Sequence, residues 1–93
     1  MMKVILDGRL MISREAMHDL LAEQLEFRGY YGRNLDALYD LLTSYPDVLD
    51  ISVTYASVLL NQLGNYGQAL LDTLLDAARE CPNVTVSILG EKN

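Results

Sequence analysis

The residues able to do chemistry in this chain are acids and tyrosines, and they are gathered rather than scattered. Asp36 and Asp40 stand four residues apart in "YYGRNLDALYD", residues 30 to 40, and Asp72, Asp76 and Glu80 repeat that spacing further on. On a helix such pairs share one face and repel each other weakly. Paired carboxylates suit three tasks: holding a hard cation by their oxygens, passing a proton, or meeting an arginine through two parallel hydrogen bonds. No EF-hand or HExxH spacing accompanies these acids, so no metal is expected. The chain also lacks a phosphate-binding Gly-Lys-Ser/Thr loop and a dinucleotide glycine motif, so no cofactor is expected. His18, the one histidine, lies in "MHDL" and is expected at the surface or its boundary. Cys81, the one cysteine, precedes Pro82 and reads as a buried, inert thiol; it excludes an internal disulfide and fits a reducing compartment. No nucleophile and base are paired by spacing, so catalysis is not expected.

Recognition of a protein is the remaining task. The net charge is −6, and it is unevenly placed. Through residue 33, Lys3, Arg9, Arg14, Arg28 and Arg33 cancel Asp7, Glu15, Asp19, Glu23 and Glu26, and near the end Arg79 and Lys92 cancel Glu80 and Glu91. The surplus is Asp36, Asp40, Asp47, Asp50, Asp72 and Asp76, in a stretch from 34 to 78 without Lys or Arg. All six tyrosines, Tyr30, Tyr31, Tyr39, Tyr45, Tyr55 and Tyr66, fall within residues 30 to 66. The bland reading is that the acids keep the protein soluble. The sharper one is an acidic, tyrosine-rich face for a basic partner, because tyrosine offers a rigid aromatic body with a polar tip. Such a face repels phosphate, so nucleic acid is not an expected ligand. Tyr55 and one of Tyr30 and Tyr31 are expected to be partly buried, and Gly32 would let the backbone approach another surface closely.

The elements that must position these groups are legible from periodicity. "KVIL" reads as a buried strand closed by the turn-like "DGR". Ser13 is a candidate N-cap, Ile12 and Met17 have the spacing of a hydrophobic staple, and Ala16, Met17, Leu20, Leu21 and Leu25 form the stripe of a helix over 14–26, with Gly29 as its stop. Asn34 caps a second helix whose Leu35, Leu38, Leu41 and Leu42 turn inward, leaving Asp36, Tyr39, Asp40 and Thr43 on other faces, and "SYPD" ends it. "VLDISVTY" is a strand, 55–63 a short helix punctuated by "GNYG", Leu70, Leu71, Leu74, Ala77 and Ala78 the stripe of another helix, and "VTVSIL" a final buried strand. Strands separated by helices predict an α/β fold, a three-stranded parallel sheet packed by about four helices, in one domain over residues 1–93. The opening apolar run is too short to span a bilayer and lacks the features of a signal peptide. A cytoplasmic protein, away from membranes and monomeric when free, is expected.

The run "YYGRNLDALYDLLTSYP" closely resembles the signature of the barstar family, intracellular inhibitors of the ribonuclease barnase, and weaker likeness extends over the whole chain. The resemblance implies a parallel three-stranded sheet with flanking helices and inhibition by plugging a nuclease active site, without catalysis. By position it makes Asp40 the central acid, sitting where a substrate phosphate binds, with Asp36 pairing further basic residues and Tyr30 packing near the catalytic histidine. Gly32 and Asn34 would supply backbone contacts, Thr43 would sit near the rim, and Asp76 matches a family glutamate. The implied partner is a basic, guanyl-specific, barnase-like ribonuclease. The alternative is a binding module of the same fold with a non-nuclease partner. Three departures stand out: Tyr39 replaces a family tryptophan, Arg33 puts a positive charge where the better-known inhibitor has an acid, and the stretch at Ser44–Tyr45 is about two residues shorter.

Overall fold

A computed structural model describes residues 1–27 and 29–90; Arg28 and residues 91–93, counted in the charge balance above, lie outside the described residues. The elements run β1 (Met2–Asp7), a 3-10 turn (Gly8–Leu10), α1 (Arg14–Leu25), α2 (Leu35–Thr43), β2 (Leu49–Thr54), α3 (Ala56–Leu63), α4 (Asn65–Glu80) and β3 (Val84–Ile88). The strands form one parallel sheet in the order β1-β2-β3, with Met2 opposite Leu49, Leu49 opposite Val84, and Val53 opposite Ile88. Each crossover therefore moves to the adjacent strand and carries two helices. The expected α/β architecture is the observed one.

Burial alternates along all three strands. Val4 and Leu6, then Leu49, Ile51 and Val53, then Val84 point into the core, where they meet Met17, Leu21, Leu25, Leu38, Leu42, Leu70, Leu74 and Ala77 of the helices. The intervening residues Lys3, Ile5, Thr85 and Ser87 are exposed. This corrects the expectation of buried strands for "KVIL" and "VTVSIL". Parallel sheets are usually covered on both faces, but here one face is largely open, and its polar residues are what an open face requires.

Helix ends explain the other differences. Ser13 caps α1 as expected, its Oγ accepting the Ala16 N–H at 3.0 Å. Ile12, however, is 68% exposed, so the staple with buried Met17 does not form. Glu26 rather than Gly29 ends α1: it takes a left-handed conformation (φ 52°) and donates its N–H back to the Ala22 and Glu23 carbonyls. The break in "GNYG" is the single residue Gly64, at φ 56° and ψ −129°, a region open essentially to glycine alone. The second glycine, Gly67, is buried inside α4, which begins at Asn65, well ahead of the leucine stripe. Among the described residues no helix is long and apolar enough to cross a membrane.

Candidate functional site

Asn34 sets the site. Its Oδ1 accepts the Ala37 N–H at 2.7 Å, starting α2, while its Nδ2 donates to the Gly32 carbonyl at 3.3 Å, shaping the loop before the helix. With the start of α2 defined, Leu38 and Leu42 are completely buried and Leu35 and Leu41 half-buried. That rotation leaves Asp36 and Asp40 exposed, one turn apart, and among the described residues neither has an ion-pair partner. Asp36 lies in the first turn, where the free N–H groups of the helix favour a negative charge. Asp40 lies beyond that benefit; its backbone carbonyl accepts from the Ser44 N–H and hydroxyl and from the Thr43 hydroxyl, while among the described residues its carboxylate makes no hydrogen bond.

In the loop, neighbouring tyrosines point opposite ways. Tyr30 is 92% exposed, whereas Tyr31 is buried, which is the division expected for that pair. Tyr31 packs on Phe27 with ring centroids 4.9 Å apart and places its hydroxyl 2.6 Å from His18 Nδ1. Burial and the neighbouring Tyr66 push the Tyr31 phenol up to about 12. Gly32 is close to α2: a Cβ there would come within 3.1 Å of the Ala37 Cβ. Arg33 has a positive φ of 56° and turns its guanidinium back onto α1, with Nη2 2.5 Å from Asp19 Oδ1 and 3.2 Å from the Glu15 carbonyl oxygen.

The far side of the face is the seam between α2 and α4. Tyr39 is half-buried there, and its phenol is raised first by desolvation and then by the carboxylates of Glu80 and Asp76. Asp76 is therefore near Tyr39 in space, although it pairs with Arg79 of its own helix. Thr43 donates its hydroxyl to the Tyr39 carbonyl at 2.9 Å, and its own carbonyl lies 3.5 Å from Cys81 Sγ. Cys81 is thus half-buried at the seam rather than buried in the core. The structure gathers Asp36, Tyr39, Asp40 and Thr43 on α2, with Asp76 across the seam and Tyr30, Gly32 and Asn34 in the adjoining loop.

Other tyrosines are employed elsewhere. Tyr45 donates to Met2 Sδ at 3.4 Å, Tyr55 lies under the Arg9 guanidinium at 3.9 Å, and Tyr66 meets His18. Clustering in sequence thus does not become one shared role for the tyrosines: Tyr30 projects from the loop and Tyr39 lies in the α2–α4 seam, while the others are held by contacts of their own. Among the described residues no group of three or more His, Cys, Asp or Glu side chains could hold a metal, and Asp72 instead accepts from Gln68 at 3.0 Å.

Sequence reasoning also misplaced His18. It is 3% exposed, with Nδ1 on the Tyr31 hydroxyl and Nε2 2.8 Å from the Tyr66 hydroxyl. Desolvation, then the positive charge of Arg33, hold its pKa below the ordinary value. A signal was available: His18, Leu21 and Leu25 have the i, i+3, i+7 spacing of one helix face.

Comparison with known proteins adds two findings. The family described as Barstar (barnase inhibitor) matches residues 1–89. A Bacillus subtilis (strain 168) protein named "Putative ribonuclease inhibitor YrdF" is 40% identical over 81 residues, covering 86% of this chain and 89% of that protein.

Proposed function

The chain belongs to the barstar (barnase inhibitor) family, and from that premise we propose that it inhibits a basic, guanyl-specific, barnase-like ribonuclease in the cytoplasm by covering the enzyme's active site. As a member of an inhibitor family it is not an enzyme. The observation that carries the finer reading is the pair of exposed carboxylates Asp36 and Asp40, one turn apart on α2 and without an ion-pair partner among the described residues, together with the projecting ring of Tyr30 in the preceding loop. A ribonuclease cleft holds cationic groups where the substrate phosphates lie. Carboxylates presented at that spacing accept charge-assisted hydrogen bonds from those groups and occupy the phosphate positions. They offer no phosphorus centre for the enzyme to attack.

Asp40 takes the centre of the interface, with Asp36 and Tyr30 on one side and Tyr39, Thr43 and Asp76 on the other. Gly32 and Asn34 present backbone in between. Acid facing base speeds encounter and makes association sensitive to salt. The protein acts as a single domain and as a monomer. The test is inhibition of a panel of guanyl-specific ribonucleases by the wild type and by Asp40→Ala. Micromolar wild-type protein that leaves every nuclease active would sink the target class and favour a non-nuclease partner. Equal potency of Asp40→Ala would move the site away from α2.

A further inference from the structure

Residues 29–33 connect α1 to α2 without a single backbone–backbone hydrogen bond between described residues, and Gly29 and Arg33 both have positive φ angles. A segment of that kind has no intrinsic reason to hold one shape. Its shape comes from side chains. Asn34 donates to the Gly32 carbonyl, Arg33 reaches Asp19 and the Glu15 carbonyl, and Tyr31 reaches His18. The first two tethers are exposed to water, where such contacts are weak. The His18–Tyr31 contact is buried, where a hydrogen bond is stronger and its loss leaves a desolvated group unmatched.

His18 has a second partner. Its Nε2 meets the hydroxyl of Tyr66 near the start of α4, and the guanidinium of Arg14 stacks on the outer face of that ring, 4.1 Å from its centroid. In the neutral imidazole one nitrogen donates and the other accepts, so one tyrosine hydroxyl donates a hydrogen bond to the ring and the other accepts one. Three elements distant in sequence meet on one ring: α1, the loop, and α4. No buried side-chain nitrogen or oxygen is left without a partner among the described residues.

We propose that His18, gripping Tyr31 and Tyr66, is a positioning residue that presets the 30–34 loop in the shape its partner binds. Resting on the inhibitor reading above, this gives a role to two residues, His18 and Tyr66, that the resemblance does not count among the partner-binding residues. An interface assembled in advance avoids the ordering cost at encounter, so the grip acts on affinity through the loop and not through contact.

The experiment uses Tyr66→Phe, which removes one hydroxyl and keeps the ring, with His18→Gln and His18→Leu alongside. Backbone NMR order parameters are read at residues 31–34 and at Ile51 and Val53 in the core. The expected result is a fall at 31–34 from about 0.85 toward about 0.6 in Tyr66→Phe and His18→Leu, less in His18→Gln, whose amide can still donate and accept, with Ile51 and Val53 changed much less. The inhibition constant against a nuclease that the wild type inhibits should weaken about tenfold in the same order. Unchanged loop order in Tyr66→Phe and His18→Gln overturns the proposal, and so does loop order that falls only in step with the core. Lower loop order with undiminished inhibition overturns it too. Wild-type protein inert toward every nuclease defeats the inhibitor reading instead, and the order parameters still decide whether His18 sets the loop.

Discussion

Arg33 Nη2 lies 2.5 Å from Asp19 Oδ1, so the positive charge in the candidate binding loop is directed onto α1 and matched there. In sequence this arginine is an intruder among acids. In space it is a tether, and the acid face of α2 is left to Asp36 and Asp40. The pair is substantially exposed, at 42% and 64% of the two side chains, which limits its contribution to stability.

Breaking that pair should therefore change kinetics more than folding. In Asp19→Asn the urea midpoint should move by less than about 1 kcal/mol equivalent. Association with a basic nuclease should slow at low salt, because an uncompensated cation then stands beside the acid face, and the difference should close as salt is raised. Stopped-flow association at two ionic strengths measures both points.

Asp40→Ala should separate function from stability with opposite signs. Removing the carboxylate relieves repulsion with Asp36 and installs the best helix former, so the fold should gain about 0.5 kcal/mol. Binding should lose roughly 2 kcal/mol or more if Asp40 is the centre of the interface, which is roughly thirtyfold in affinity. Chemical denaturation and titration of nuclease activity on the same sample give the two values.

Asn34→Ala should damage both. The N-cap is lost at a cost of about 1 kcal/mol, and the Gly32 carbonyl loses its donor. Asn34→Gly should recover most of the stability, because glycine is tolerated as a cap, but not the loop contact. Inhibition weaker in Asn34→Gly than its stability suggests would identify the contact with Gly32 as the functional part.

The pH profile of stability should have an acid and an alkaline limb traceable to the His18 cluster. His18 has its pKa lowered in the fold by desolvation and by Arg33, against a partial offset from Asp19. The unfolded chain thus takes up the proton first, and this stability is complete above about pH 6.5 and lost as pH falls below it. His18 and Tyr66 line a groove together with Arg14, Glu15, Arg33 and Asp36, and Tyr31 and Tyr66 bond the imidazole itself. Asp7 and Asp47 have lowered pKa values, Asp7 from its bonds with Arg9 and Asp47 from the Val48 N–H and the chain amine, and lose their share of stability only at more acid pH. Tyr31 works in the other direction. Its pKa of about 12 lies above that of the unfolded chain, so its contribution is full below about pH 10 and is lost as pH rises toward 12. Urea midpoints from pH 5 to pH 11 should fall at both ends, and Tyr31→Phe should flatten the alkaline one.

Local pattern alone determined the order of elements, the caps Ser13 and Asn34, the leucines that anchor α2, and hence the outward direction of Asp36 and Asp40. Those features depend on neighbours within a few residues: a cap needs an amide three positions on, and a helix face repeats every turn. The signature from Tyr30 to Pro46 also carried the family, which the comparisons bear out. What sequence could not supply was set by contacts between distant segments. Only packing decided that Tyr31 and not Tyr30 turns inward, that Tyr66 meets His18, 48 residues away, and that Arg33 crosses to Asp19. Periodicity reports which side of an element is buried, but not which partner waits there. For a histidine, an arginine or a tyrosine, each able to be buried or exposed according to its partner, the partner decides the role.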